Sequence, residues 1–177
     1  MLDKAADQKE EFMPYRGPTS PYALNEIFIQ DAFANDDERL WMQMTPYSWS
    51  RPLCLNASQG YWVHLSKFRG DGVVSCHRHP APVHGFIIKG GWRYLEHDWV
   101  ATEGSYIFEP PGDIHTLVAL PEVEESITLF HNTGALIYCD VDGNTKGYAD
   151  VFTRIDGYAK HFEKVGLGAD YVKNFIR

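Results

Sequence analysis

From Tyr61 to about Asp140 the chain breaks into short apolar or alternating runs, each closed by Gly, Pro or Asp and recurring every eight to twelve residues. A period of two is what a strand needs to bury one face, and runs this short leave no room for long helices. Residues 61–68, 73–79, 84–89, 92–96, 105–109, 116–120, 126–131 and 136–140 therefore read as strands, with Gly90-Gly91 as a tight turn between two of them. Strands at this spacing build an antiparallel sandwich or barrel.

The flanks read differently. Residues 1–20 carry Pro14, Gly17 and Pro18, followed by Pro21, and are expected to form an arm rather than a helix. Residues 22–58 hold the apolar stretch Ile27-Phe28-Ile29, the acidic segment Asp36-Asp37-Glu38 and an aromatic cluster of Trp41, Tyr47 and Trp49. The expectation is that all of 1–58 packs on the outside of the barrel or on a partner subunit, that 59–145 is the barrel, and that 146–177 caps it. After Gly147 the period becomes helical, with Val151, Ile155, Tyr158 and Phe162 on one stripe. A chain of 177 residues that is 44% hydrophobic fills one core, so a single domain is expected.

Sixteen basic against 24 acidic residues give a net charge of -8, which repels phosphate backbones and anionic lipid. Nucleic acid and membrane are thereby disfavoured as partners. Met1 to Phe12 is polar where a secretory leader needs an apolar stretch, and Cys54, Cys76 and Cys139 are odd in number and widely spaced, as free thiols of a reducing compartment would be. A cytoplasmic protein is expected.

Chemistry concentrates in histidine. Of the eight in the chain, His77, His79, His84 and His97 crowd around one hairpin, and His115 follows Pro110-Pro111-Gly112-Asp113. Residues two apart on a strand share a face, so His77 and His79 project together. Neutral imidazole is a ligand for iron, copper, nickel or zinc, yet an isolated His-x-His pair is more often structural than metal-binding. His64, His97, His131 and His161 are taken as structural.

The pair is not isolated. Gly72, His77, His79 and Gly91 stand at the offsets of the first cupin motif, with His84 where that motif has a glutamate, and Gly104, Pro110, Gly112 and His115 satisfy every step of the second. Gly104 and Gly112 permit turn dihedrals closed to other residues, and Pro110 stiffens the approach to His115. The chain thus resembles the cupins, which implies an all-β fold: an antiparallel barrel (double-stranded β-helix) with an N-terminal arm and C-terminal helices. The stretches from His77 to Trp99 and from Gly104 to His115, with Gly166-Leu-Gly-Ala-Asp-Tyr-Val, resemble more narrowly the 2,4′-dihydroxyacetophenone dioxygenases, over about Trp41 to Arg177.

That resemblance implies Fe(II) held by His77, His79 and His115, and a reaction in which dioxygen splits the bond between the carbonyl and hydroxymethyl carbons of an aryl α-hydroxyketone. A small aromatic ketone and dioxygen would be the partners, with 4-hydroxybenzoate and formate as products. Three histidines leave the metal's double charge uncompensated by protein carboxylate, a setting that favours an anionic chelate. His84 is expected either as a further ligand or beside the ion, holding substrate or water. Glu96 shares strand parity with Trp92 and Tyr94; it is a base or histidine orienter if that face looks inward, and otherwise a surface charge. Trp92, Tyr94, Tyr106 and Phe108 are candidates to line a flat apolar pocket. The same histidines would also serve a dioxygenase acting on another chelating ketone such as a β-diketone, a metal-dependent isomerase, or a non-catalytic metal-binding sensor. Cupins commonly pair through strands or arms, so a homodimer or homotetramer is expected, with Ile27 to Ile29 as a candidate contact.

Overall fold

The structure, a computed structural model, describes residues 13–34 and 37–177. The expectations for Met1 to Phe12 and for Asp36 of the acidic segment lie outside the described residues. The strands are β1 (Met42–Thr45), β2 (Ser48–Asn56), β3 (Tyr61–Phe68), β4 (Gly72–Arg78), β5 (Val83–Lys89), β6 (Gly91–Tyr94), β7 (Ala101–Thr102), β8 (Tyr106–Glu109), β9 (Ile114–Ala119), β10 (Ser126–Thr133), β11 (Ala135–Cys139) and β12 (Thr145–Asp150). They form two six-stranded sheets, ordered β1-β2-β3-β10-β5-β8 and β12-β11-β4-β9-β6-β7, and every strand pairing within them is antiparallel.

Each strand expected between 61 and 140 is present, with its ends moved by a few residues. The sheets reach further than expected. Residues 42–56 were placed outside the barrel, yet β2 pairs with β3 along its whole length and carries β1 at the sheet edge. Two features of β2 hid it. Pro52 sits at a register shift where the ladder is interrupted, and the buried residues include Ser48, Ser50 and Arg51, so hydrophobic alternation is absent. At the other end β12, of which all but Thr145 fell in the segment expected to cap the barrel, adds an edge strand to the second sheet.

Helix α1 (Val151–Lys164) begins with a capping box, in which Asp150 accepts from the Thr153 amide and Thr153 Oγ1 accepts from the Asp150 amide, each at 2.8 Å. These bonds satisfy two amides that the first turn leaves unpaired. The helix buries Val151, Arg154, Tyr158 and Phe162, and its apolar members pack with Leu55, Trp62, Val172 and Phe175 into a core that closes one end of the barrel. A 3-10 segment (Ala169–Phe175) completes it. A separate core of Phe68, Val83, Ile87, Trp92, Leu117 and Phe130 fills the other end. None of the described helices is long and apolar enough to cross a membrane.

His64 of β3 lies wholly inside, with Nε2 3.0 Å from Ser66 Oγ. Burial, helped by the charge of Arg154, pushes its pKa down from 6.5 to about 3. Between those values the unfolded chain takes up a proton that the folded chain refuses, so the unfolded state gains on acidification. Stability should therefore fall as pH drops from 6.5 towards 3. Urea midpoints measured across that window should show a shallower decline for His64→Gln than for the parent chain. Parallel slopes would mean that His64 is not kept neutral by the fold.

Candidate metal centre

The antiparallel register of β4 and β9 sets His77 directly opposite His115, which brings their side chains together across one strand spacing. His79 follows the last residue of β4, and its carbonyl accepts the Gly112 amide at 2.9 Å. The turn before His115 is thereby fastened to the strand end that bears His79. Gly104 and Gly112 have φ of 84° and 95°, the left-handed region that the motif's glycines were expected to supply.

The three imidazoles are 5%, 2% and 1% exposed for His77, His79 and His115. His115 Nε2 lies 3.2 Å from His77 Nε2 and 3.4 Å from His79 Nε2. Two donors each about 2.1 Å from one ion sit roughly 3.0–3.4 Å apart, so this spacing fits a transition metal. Ser75 Oγ, 2.9 Å from His77 Nδ1, holds that ring by its remote nitrogen. Burial, then the neighbouring imidazoles, lowers the pKa of His77 well below the usual value. Burial also lowers that of His115, against the opposing pull of Glu109. Both rings are therefore neutral near pH 7, the form that ligates. The donor set fits a divalent first-row metal, and two of its members, His77 and His79, border the cavity.

A carboxylate shares this space, contrary to the expectation of a purely histidine surround. Glu109, 4% exposed at the end of β8, places Oε2 3.0 Å from His79 Nε2 and 3.8 Å from His115 Nε2. Tyr94 donates to its other oxygen and stacks flat on His115, with ring centroids 3.9 Å apart. Burial, then the Glu109 charge, raises the Tyr94 pKa well above its usual value, so the phenol keeps its proton and holds the carboxylate in place. Pro110 to Asp113 carry the chain from the first sheet to the second, and Glu109 and His115 consequently face each other across the interior.

The other candidate residues separate. Trp92 and Tyr94 both point inward, but only Tyr94 lines the cavity; Trp92 is core, its Nε1 donating to Thr128 Oγ1 at 2.9 Å. Glu96 does not enter the interior, because β6 ends at Tyr94 and the chain has turned. It is exposed and accepts the Thr116 amide at 2.7 Å. Partial burial alone would raise its pKa, but the bonds from Thr116 outweigh it and hold the carboxyl below the usual value. His84 also leaves the site. Val83 and Ile87 take the inward positions of β5, which turns His84 outward to Tyr106, with Nδ1 2.9 Å from the hydroxyl, and to His131 and Phe108. Tyr106 and Phe108 are more than half exposed on that outer face and line no part of the cavity.

The cavity itself measures about 530 Å³ and is lined by His77, His79 and Glu109, by the apolar Phe68, Phe130 and Leu117, and by Arg154 of α1. Sequence reasoning missed Glu109 and Arg154. Glu109 directly precedes the motif's Pro110, and strand parity counted back through Ile107 would have placed it inside.

Residues 29–137 match the family described as the ChrR cupin-like domain. No match is found among curated proteins. Among solved structures, an RmlC-like cupin protein from Ralstonia eutropha JMP134 is similar at 29% identity, with 72% of this chain and 83% of that one covered and a TM-score of 0.67. An acetylacetone dioxygenase from Acinetobacter johnsonii shares the fold at 18% identity, covering 84% of this chain and 99% of that one, with a TM-score of 0.66.

Removing the carboxylate beside the imidazoles should weaken metal binding. Glu109→Gln is expected to lower affinity roughly ten-fold or more, the range found for groups that touch metal ligands, and Glu96→Gln to leave it unchanged. Competition against a chromophoric chelator measures both; equal effects would reject the assignment of the inner carboxylate to Glu109.

Proposed function

The chain belongs to the ChrR cupin-like family, and from that premise we propose that it is a non-haem Fe(II) dioxygenase cleaving an aryl α-hydroxyketone, with 2,4′-dihydroxyacetophenone and dioxygen converted to 4-hydroxybenzoate and formate. The observation that carries the reading is the meeting of His77, His79 and His115 at one buried point that opens on a cavity. Three protein nitrogens leave further coordination positions for a chelating ketone and for dioxygen, which a closed four-ligand site would not. Iron held there supplies activation of dioxygen and polarisation of the ketone.

The remaining work falls to the chain's own groups. An α-hydroxyketone chelates best once its hydroxyl proton is lost, and Glu109 Oε2 stands where that proton would be delivered. Tyr94 keeps the carboxylate from rotating by donating to Oε1. Phe68, Phe130 and Leu117 offer apolar faces to an aromatic ring, and the water excluded by that ring strengthens each charge interaction nearby. Holding ketone and carboxylate in one geometry converts an encounter into an intramolecular event.

His77→Ala, His79→Ala and His115→Ala should each lose bound iron and oxygen consumption together, because two remaining protein ligands hold a labile divalent ion poorly. Iron content and oxygen uptake, measured on the same preparations, check this. In a panel of ketones, uptake should be fastest with 2,4′-dihydroxyacetophenone and accompanied by formate. Faster uptake with acetylacetone would shift the substrate to a β-diketone, and no uptake with any ketone would reject the dioxygenase.

A further inference from the structure

The lining of the cavity includes a buried cation that the proposed chemistry does not use. Arg154, in the first turn of α1, is 7% exposed. Its Nη1 meets Met44 Sδ at 3.3 Å and its Nη2 meets the Tyr138 hydroxyl at 3.4 Å, while Nε is buried with no hydrogen-bond partner among the described residues. The guanidinium carbon lies 5.7 Å from the Trp62 ring centre. None of the ion pairs among the described residues includes Arg154.

A thioether and a phenol are weak neutral acceptors, and a guanidinium keeps its charge under all ordinary conditions. Charges taken out of water are held against the cost of desolvation by an opposite charge. Arg154 borders the same cavity as His77, His79 and Glu109, so the counter-charge can arrive with a ligand. Ser48, Ser50 and Asn132 add further polar groups to the lining, beside apolar walls.

We propose that Arg154 is an anion-binding residue, and that the substrate carries, besides its chelating ketone, a negatively charged oxygen, carboxylate or phenolate. The inference rests on the reading of the imidazoles as the ketone site. It narrows the substrate to aryl ketones that also bear an acidic group, a class that includes phenols acidified by a conjugated carbonyl. The planar fork of Arg154 matches two oxygens of a carboxylate or one phenolate oxygen.

The test is binding to the metal-stripped protein, so that neither turnover nor iron enters the readout and its failure is separable from failure of the dioxygenase reading. Calorimetric titration with benzoate and with the neutral isostere benzamide should show benzoate tighter by roughly ten-fold or more, as for hydrogen bonds to a charged group. That preference should vanish in Arg154→Met and persist in part in Arg154→Lys, which keeps the charge without the fork. 4-Hydroxyacetophenone, whose phenolate absorbs at longer wavelength than its phenol, should bind with its phenolate fraction raised by a similar factor; with benzoate preferred and that fraction unmoved, the anion is a carboxylate. Equal binding of benzoate and benzamide to the parent protein would overturn the proposal whether or not the variants fold, and so would a preference retained in Arg154→Met.

Discussion

The cross-strand register that sets His77 against His115 is the constraint on which the site depends. A slip by one residue would turn the ring on the shifted strand to the outer face and part the pair, since side chains alternate along a strand. The register is held from both ends. At the turn, the Gly112 amide is bonded to the His79 carbonyl, and within the strands the pairing runs through Cys76↔Thr116 to Ser75↔Leu117 and, past a register shift between Ser75 and Val73, on to Gly72↔Ala119. His79 thus belongs to the same rigid unit as the pair it joins.

Around that unit the cavity is asymmetric in charge. It holds three imidazoles beside a carboxylate, Glu109, kept in position by Tyr94. It also holds a guanidinium with only neutral acceptors in contact. The apolar rings of Phe68 and Phe130 lie along the same cavity. A ligand with a chelating ketone, a flat ring and an anionic oxygen answers all of these environments, and α1 contributes to the site as well as closing the barrel, because its first turn carries Arg154.

How much of this was legible in the sequence depended on whether local spacing or long-range geometry decided the matter. The three ligand candidates could be read because His-x-His is a same-face pattern and because glycines and a proline at set offsets announce the turn before His115. Glu96 was misplaced because parity from Trp92 and Tyr94 holds only while the strand lasts, and β6 stops at Tyr94. In β8 hydrophobicity pointed the wrong way, since Tyr106 and Phe108 face outward while the carboxylate of Glu109 is buried. Polar residues lining a cavity look like surface residues in a sequence, which also concealed β2 with its buried Ser48 and Ser50. Arg154 lay on a helix recognised by its apolar stripe, and a stripe carries no sign of which polar neighbour it takes inside.

X-ray absorption at the edge of the metal in freshly purified protein tests the central claim most directly. The account predicts a single transition metal per chain with nearest nitrogen or oxygen neighbours at about 2.1 Å, and outer-shell scattering that fits imidazole rings of His77, His79 and His115. A spectrum without imidazole scattering, or one dominated by sulfur, would contradict it.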